Sequence, residues 1–412
     1  MATPFEISAR FVDDLVAMSP TFATALGVPG HDADWDDVSP DGEAAKADLA
    51  GRVVADMAPH LAHPDPNQRL AAHVVSEYAG YTVDAYEGLD HLRGLAHTAS
   101  PFQVLREIFE YVDRRDPEAA TAAARRLETI GTPLHGYRQT LIQGLDLGEV
   151  VARRQVESVL AQIERLVSSQ SAWHLLEQGS PIPAQMAQAI ETAKREVAAF
   201  GFFLTDQYLP KAHGEDGVGR EPYRRAARAF LGIEIEPEEL YEWGWQEIDR
   251  LLVEMRSVAT EIDPSLDLPG VIDRLETDER LAVDGPEELV RFVADRQRRA
   301  IEDLDGSHFD LADEYRTVSV AIAPPGGALG AYYRQPSEDF TRPGGIYYSI
   351  GDQQRFPLYQ EVSTAYHEGF PGHHLQIATA MAASERLSRA QRALIWYSGY
   401  GEGWALYVER LM

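Results

Sequence analysis

Three histidines fall within eight residues, in the run His367-Glu-Gly-Phe-Pro-Gly-His373-His374. The chain has 13 histidines, and this run holds its single His-Glu dipeptide. Imidazole nitrogens beside a carboxylate are what a zinc hydrolase needs: zinc peptidases of the His-Glu-x-x-His type place two ligands one helical turn apart, with the Glu as general base. The spacing here departs from that rule. His373 lies six residues after His367, which on a helix is about 9 Å along the axis and well round it. His374 shares the face of His367 but lies about 10.5 Å away. Zinc–nitrogen bonds of about 2.0–2.1 Å require the two rings to be a few ångströms apart. A regular helix therefore cannot make this site.

Pro371-Gly372 supplies a way out. Proline has no N–H for the carbonyl of residue 367, so the helical ladder must open where the ligand sits. Glycine then tolerates the backbone excursion that absorbs the extra length. With those two residues deleted, His-Glu-x-x-His returns, and a bulged helical turn is the expected device. A third ligand is expected from the next helix, where Gly401-Glu402-Gly403-Trp404 follows 29 residues after His373. Glycine on both sides of Glu402 is expected to let its backbone approach the metal helix closely. Glu409, two turns on, is better placed to accept a hydrogen bond from a ligand imidazole than to reach the metal.

The elements that must position these groups read mostly as helix. Apolar residues recur at helical spacing around Leu70–Tyr86, Val104–Tyr111, Val150–Leu176 and Leu289–Ile301. From Pro237 to Thr260, Leu240, Trp243, Ile248, Leu251, Leu252 and Met255 form what reads as one buried stripe. Pro101, Pro133, Pro183 and Pro237 suit first-turn positions, and Asp284-Gly-Pro-Glu-Glu opens another helix. The texture changes after about Asp313. Thr317–Ala323, Ala331–Arg334 and Gly345–Ile350 read as strands, with a turn at Pro324-Pro-Gly-Gly. The expected fold is mainly α: a multi-helix, zincin-like body with a small antiparallel sheet beside two metal-binding helices, Leu358–Met381 and Arg386–Met412. The organisation expected is an N-terminal helical region over 1–285 and a catalytic, metal-binding region over 286–412.

Composition limits the partners. The 412 residues carry 37 basic and 66 acidic side chains, a formal charge of −29. Such a field repels phosphate backbones and anionic lipid, so neither nucleic acid nor a membrane surface is an expected partner. Cysteine is absent, so any metal is held by His, Asp and Glu. No apolar N-terminal stretch resembles a signal peptide and none approaches a membrane span, so the chain reads as cytoplasmic. Its acidity is equally compatible with a salt-adapted host.

The run Tyr366–Gln376, together with Gly401-Glu-Gly-Trp-Ala-Leu-Tyr-Val-Glu409, resembles the signature pair of the bacterial domain-of-unknown-function family eight-eighty-five. Its members resemble the gluzincin zinc peptidases. Further likeness runs through Ser19–Gly27, Tyr223, Glu238–Gly244 and Arg342–Tyr348. Carried over by position, the resemblance implies His367, His373 and Glu402 as ligands of one Zn2+ and Glu368 as the base, with His374 the rival ligand. It gives Glu409 a matching position without a role. Family members generally continue beyond the Glu-Gly-Trp helix. On that ground this chain is expected to bind metal, hydrolyse poorly and expose a sticky surface near Leu406–Met412, which leaves a homo-oligomer open.

The expected function is zinc-dependent hydrolysis of a peptide or amide bond, with Glu368 taking the proton of the attacking water. The strand at Gly345–Ile350 is expected to align an extended substrate through its main chain, with Tyr347 and Tyr348 as candidate substrate contacts. The plainer reading of those tyrosines is the two faces of a half-buried strand. A metallohydrolase of a small non-peptide amide and a non-catalytic, metal-stabilised scaffold are the alternatives.

Overall fold

A computed structural model describes residues 2–324 and 329–412. The turn expected from Pro324 falls, from residue 325 on, outside the described residues.

The chain is mainly helical. An N-terminal layer holds α1 (Pro4–Met18), α2 (Pro20–Leu26), α3 (Pro40–Met57) and α4 (Pro66–Glu87). A second group holds α5 (Pro101–Glu107), α6 (Pro117–Glu128), α7 (Gly131–Leu147), α8 (Arg153–Val167) and α9 (Pro183–Phe203). Proline opens seven of these nine helices, where its missing N–H costs nothing and its fixed φ already suits the turn. At the first helix, Thr3 and Glu6 close a reciprocal capping box. Pro133 instead sits in the third position of α7. Two of the expected helices end early. The first passes from α5 into a 3-10 turn at Ile108–Tyr111, and the second stops at Val167 before a separate turn at Ala172–Glu177.

Next come α10 (Arg220–Leu231), α11 (Pro237–Ile262), α12 (Leu268–Thr277) and α13 (Pro286–Leu304). The stripe of α11 is not buried. Only Ala259 of its 26 residues is, while Trp243 is 58% exposed and Val253 66%. The periodicity is present, but the helix packs chiefly on the short α12 and is tied to the closing helix by an Arg410–Glu254 ion pair of 2.6 Å.

Five short strands precede the closing helices: β1 (Ala282–Asp284), β2 (Ser319–Ile322), β3 (Gly330–Arg334), β4 (Gly345–Ser349) and β5 (Arg355–Pro357). β1 and β5 form an antiparallel pair. The other three run in the order β2-β4-β3, with β3 antiparallel to β4 and β2 parallel to it. β4 is therefore central and β3 is an edge.

The chain closes with α14 (Leu358–Glu368), α15 (His373–Ala382), α16 (Arg389–Ala393) and α17 (Ser398–Leu411). Each of the two helices expected here is thus two helices. Packing crosses residue 285 freely. Ala390 and Ala393 of α16 complete the core around Phe11, Val53 and Val75, and Arg342 reaches the Thr24 and Ala25 carbonyls. Among the described residues, no helix is long and apolar enough to cross a membrane.

Candidate metal centre

The break between α14 and α15 builds the site. α14 ends at Glu368, so His367 and Glu368 stand in its last turn, and α15 starts at His373. The expected bulge in one helix is instead a full interruption over residues 369–372, and restarting the helix there turns His373 back toward His367. Gly372 is required by close approach, because a Cβ on it would collide with the carbonyl oxygen of His367. Gln297 of α13 secures the break: its Nε2 donates to the Ala365 carbonyl at 2.6 Å and its Oε1 accepts from the Phe370 N–H at 2.6 Å. Trp404 of α17 adds a donor to the Pro371 carbonyl at 2.9 Å.

His367 Nε2 lies 3.2 Å from one oxygen of Glu402, and His373 Nε2 lies 3.6 Å from the other. One donor atom from each of the three residues falls within 4.8 Å of the rest. Ligands at zinc–ligand distances of about 2.0–2.1 Å in a tetrahedron sit about 3.3 Å apart, so the spacing suits that ion. The tautomer supports the fit. His367 Nδ1–H donates to Glu409 Oε1 at 2.7 Å, and the neutral ring so held presents the lone pair of Nε2 to the Glu402 side. Ser363 Oγ–H fixes the other oxygen of Glu409 at 2.9 Å. Burial lowers the pKa of His373, which favours the neutral, ligating ring.

His374 is otherwise engaged. It is 1% exposed; its Nδ1 accepts from the Tyr333 hydroxyl at 2.9 Å and its Nε2–H donates to the Tyr315 carbonyl at 2.9 Å. Burial pushes it down to about 4. With both nitrogens occupied it anchors α15 on the strand layer and is not a ligand in this geometry.

Glu368 faces the same cleft. Burial raises its carboxyl well above the usual range; His367 opposes this and Glu402 adds to it. The cleft, about 660 Å³, is also lined by Arg106, Tyr332, Tyr333 and Trp396. Trp396 packs against the His373 ring at 5.6 Å. Gly401 accommodates that indole, since a Cβ there would strike it, whereas a Cβ on Gly403 would meet nothing. The glycines beside Glu402 therefore do not serve approach to the metal helix as the sequence suggested.

Tyr347 and Tyr348 do not line the cleft. Tyr347 stacks on Tyr332 with centroids 5.5 Å apart and accepts from Arg334, while Tyr348, 4% exposed, sits in the core with Leu289 and Phe356. Nor can β4 align a substrate, because both its edges are taken. The strand along the cleft is β3, through Ala331 to Arg334. The Ala-Tyr-Tyr-Arg run signals that strand, but its edge position depends on pairing partners remote in sequence. Gln297 and Arg106 carry no local signal at all.

The chain is mainly helical, with a His-Glu motif broken between two helices and a carboxylate from a third facing both histidines. Residues 20–412 match a family described as "Bacterial protein of unknown function (DUF885)", and the chain belongs to that family. Two solved structures share the fold. One is the "putative lipoprotein" from Colwellia psychrerythraea, at 18% identity and a TM-score of 0.79. The other is a "putative lipoprotein of unknown function" from Shewanella oneidensis, at 16% and 0.65. Each match covers 100% of this chain and 78% of the other. At these identities the likeness is one of fold. No curated protein matches the chain.

Proposed function

We propose that this chain is a zinc-dependent hydrolase of peptide bonds with a gluzincin-like site. The observation that carries the reading is the convergence of His367, His373 and Glu402 beside a buried Glu368 on one open cleft. Zinc in such a ligand set supplies Lewis acidity toward a carbonyl and toward water. Glu368, with its raised affinity for protons, takes one from the attacking water and returns it to the leaving nitrogen. Glu409 holds His367 in the tautomer that presents Nε2. Among the described residues no strand pairs with the outer edge of β3, the strand of Tyr332 and Tyr333, which is open to an extended chain. That edge favours a peptide over a small non-peptide amide.

The test is hydrolysis of a mixed peptide pool by zinc-loaded protein, read as new termini by mass spectrometry. Glu368→Gln should keep its zinc and lose about two to four orders of magnitude in rate. A Gln variant as fast as the parent would remove Glu368 from the chemistry.

A further inference from the structure

The charged groups on the cleft beyond the metal centre and Glu368 are Arg106, Glu107, Glu110 and Arg334. Two of them are committed to holding the walls. Arg334 donates to the Glu110 carbonyl at 2.7 Å and to the Tyr347 hydroxyl, and it lies over the Tyr111 and Tyr347 rings. The Glu110 carboxylate accepts from the Tyr332 hydroxyl at 2.5 Å. Arg106, in the last turn of α5, is different. Its side chain is only 11% exposed, yet among the described residues its hydrogen bonding amounts to one contact from Nη2 to the adjacent Glu107. Among the described residues its Nε is buried without a partner, as is that of Arg334, but Arg334 places its other nitrogens on two acceptors. A guanidinium carries five N–H donors in a planar fork, and leaving such donors unpaired in a nearly dry wall is costly. The group that matches the fork is a carboxylate. Glu107 is 44% exposed at its side chain and can turn to solvent as a ligand arrives.

We propose that Arg106 is the carboxylate anchor of the cleft, binding a carboxylate of the peptide and so fixing which substrates are taken and in which direction they lie. This rests on the peptide-hydrolase reading. Away from the metal centre the cleft carries Glu107 and Glu110, and its other cation, Arg334, is engaged with the wall, so an anionic group there finds its favourable position at Arg106. The carboxylate is either the C-terminus of the peptide or an acidic side chain near it.

The experiment measures calorimetric binding to zinc-loaded Glu368→Gln protein. Three pools of short peptides of Ala, Leu and Phe are compared: free acids, C-terminal amides, and amides ending in Glu. The pool that carries the recognised carboxylate, free acids or Glu-ended amides, should bind about ten- to a hundredfold more tightly than the plain amides. That gap should close in the Arg106→Gln protein and persist in part in Arg106→Lys, which keeps charge without the fork; zinc content confirms that each variant is folded. Tight binding of the Glu-ended amides assigns the site to a side chain, and weak binding assigns it to the C-terminus. Equal binding of all three pools, a gap that survives Arg106→Gln, or no binding by any pool would overturn the anchor. Hydrolysis by the parent protein is scored separately: an Arg106-dependent gap without turnover would sink the hydrolase reading and leave the anchor standing.

Discussion

Glu409 shows how much of this site rests on groups that do not touch the metal position. Its carboxylate fixes His367 through Nδ1, and Ser363 fixes the carboxylate in turn. Loss of such an outer partner commonly costs about 10–100-fold in metal affinity. Glu409→Ala should weaken zinc binding by that factor in a chelator competition, and Glu409→Gln by less, because its amide oxygen still accepts. Unchanged affinity in the Ala variant would mean that His367 is held by something else. At this scale the sequence was informative where chemistry sits in a local pattern. His367, Glu368, Glu402 and Glu409 are readable from their types and spacing, and the structure brings all four together. Ser363 and Gln297 were not readable, since a polar residue on a helix has no signature of the partner it meets in space.

At the scale of elements, the decisive feature is the break at residues 369–372. Two helices meeting at an interruption bring His373 beside His367, with ring centroids 4.8 Å apart, which one helix could not do. Gly372→Ala should disturb that join, because the added methyl has no space beside the His367 carbonyl. Overpacking of this kind costs about 1–3 kcal/mol, so the variant should melt earlier and hold zinc less tightly. Gln297→Leu removes two buried hydrogen bonds to the same segment, and each orphaned backbone group costs about 1–3 kcal/mol. Thermal melts with and without zinc check both variants; a Gln297→Leu protein as stable as the parent would show that the break holds itself. Helix starts were legible because proline marks them. The three-residue strands β1 and β5 were not, being too short for an alternating pattern. The stripe of α11 was legible as a helix face, but periodicity does not state what will cover it.

Over the whole molecule, the N-terminal helices do more than precede the site. α5 and its following turn supply Arg106, Glu107, Glu110 and Tyr111 to the cleft, and the α1–α4 core is completed by α16. The core therefore joins Ile7 to Ala393 and the cleft joins Arg106 to Glu402, a relation that single-sequence periodicity does not carry. A formal charge of −29 spread over this body repels itself. Raising ionic strength from about 0.01 to about 0.15 M shortens the screening length from about 30 to about 8 Å. The melting temperature should therefore rise with sodium chloride over that range. A flat or falling response would show that paired charges, such as Arg389 with Glu338 at 2.8 Å, outweigh the net repulsion.

The central claim is that His367, His373 and Glu402 hold one zinc ion while His374 does not. Zinc content per folded chain, measured on the parent and on single alanine variants at those four positions, tests it most directly. One zinc per parent chain is predicted, with sharp loss in His367→Ala, His373→Ala and Glu402→Ala. His374→Ala should melt earlier, having lost its bonds to Tyr333 and Tyr315, and still bind one zinc. An empty His374→Ala protein beside a filled His373→Ala protein would contradict the account.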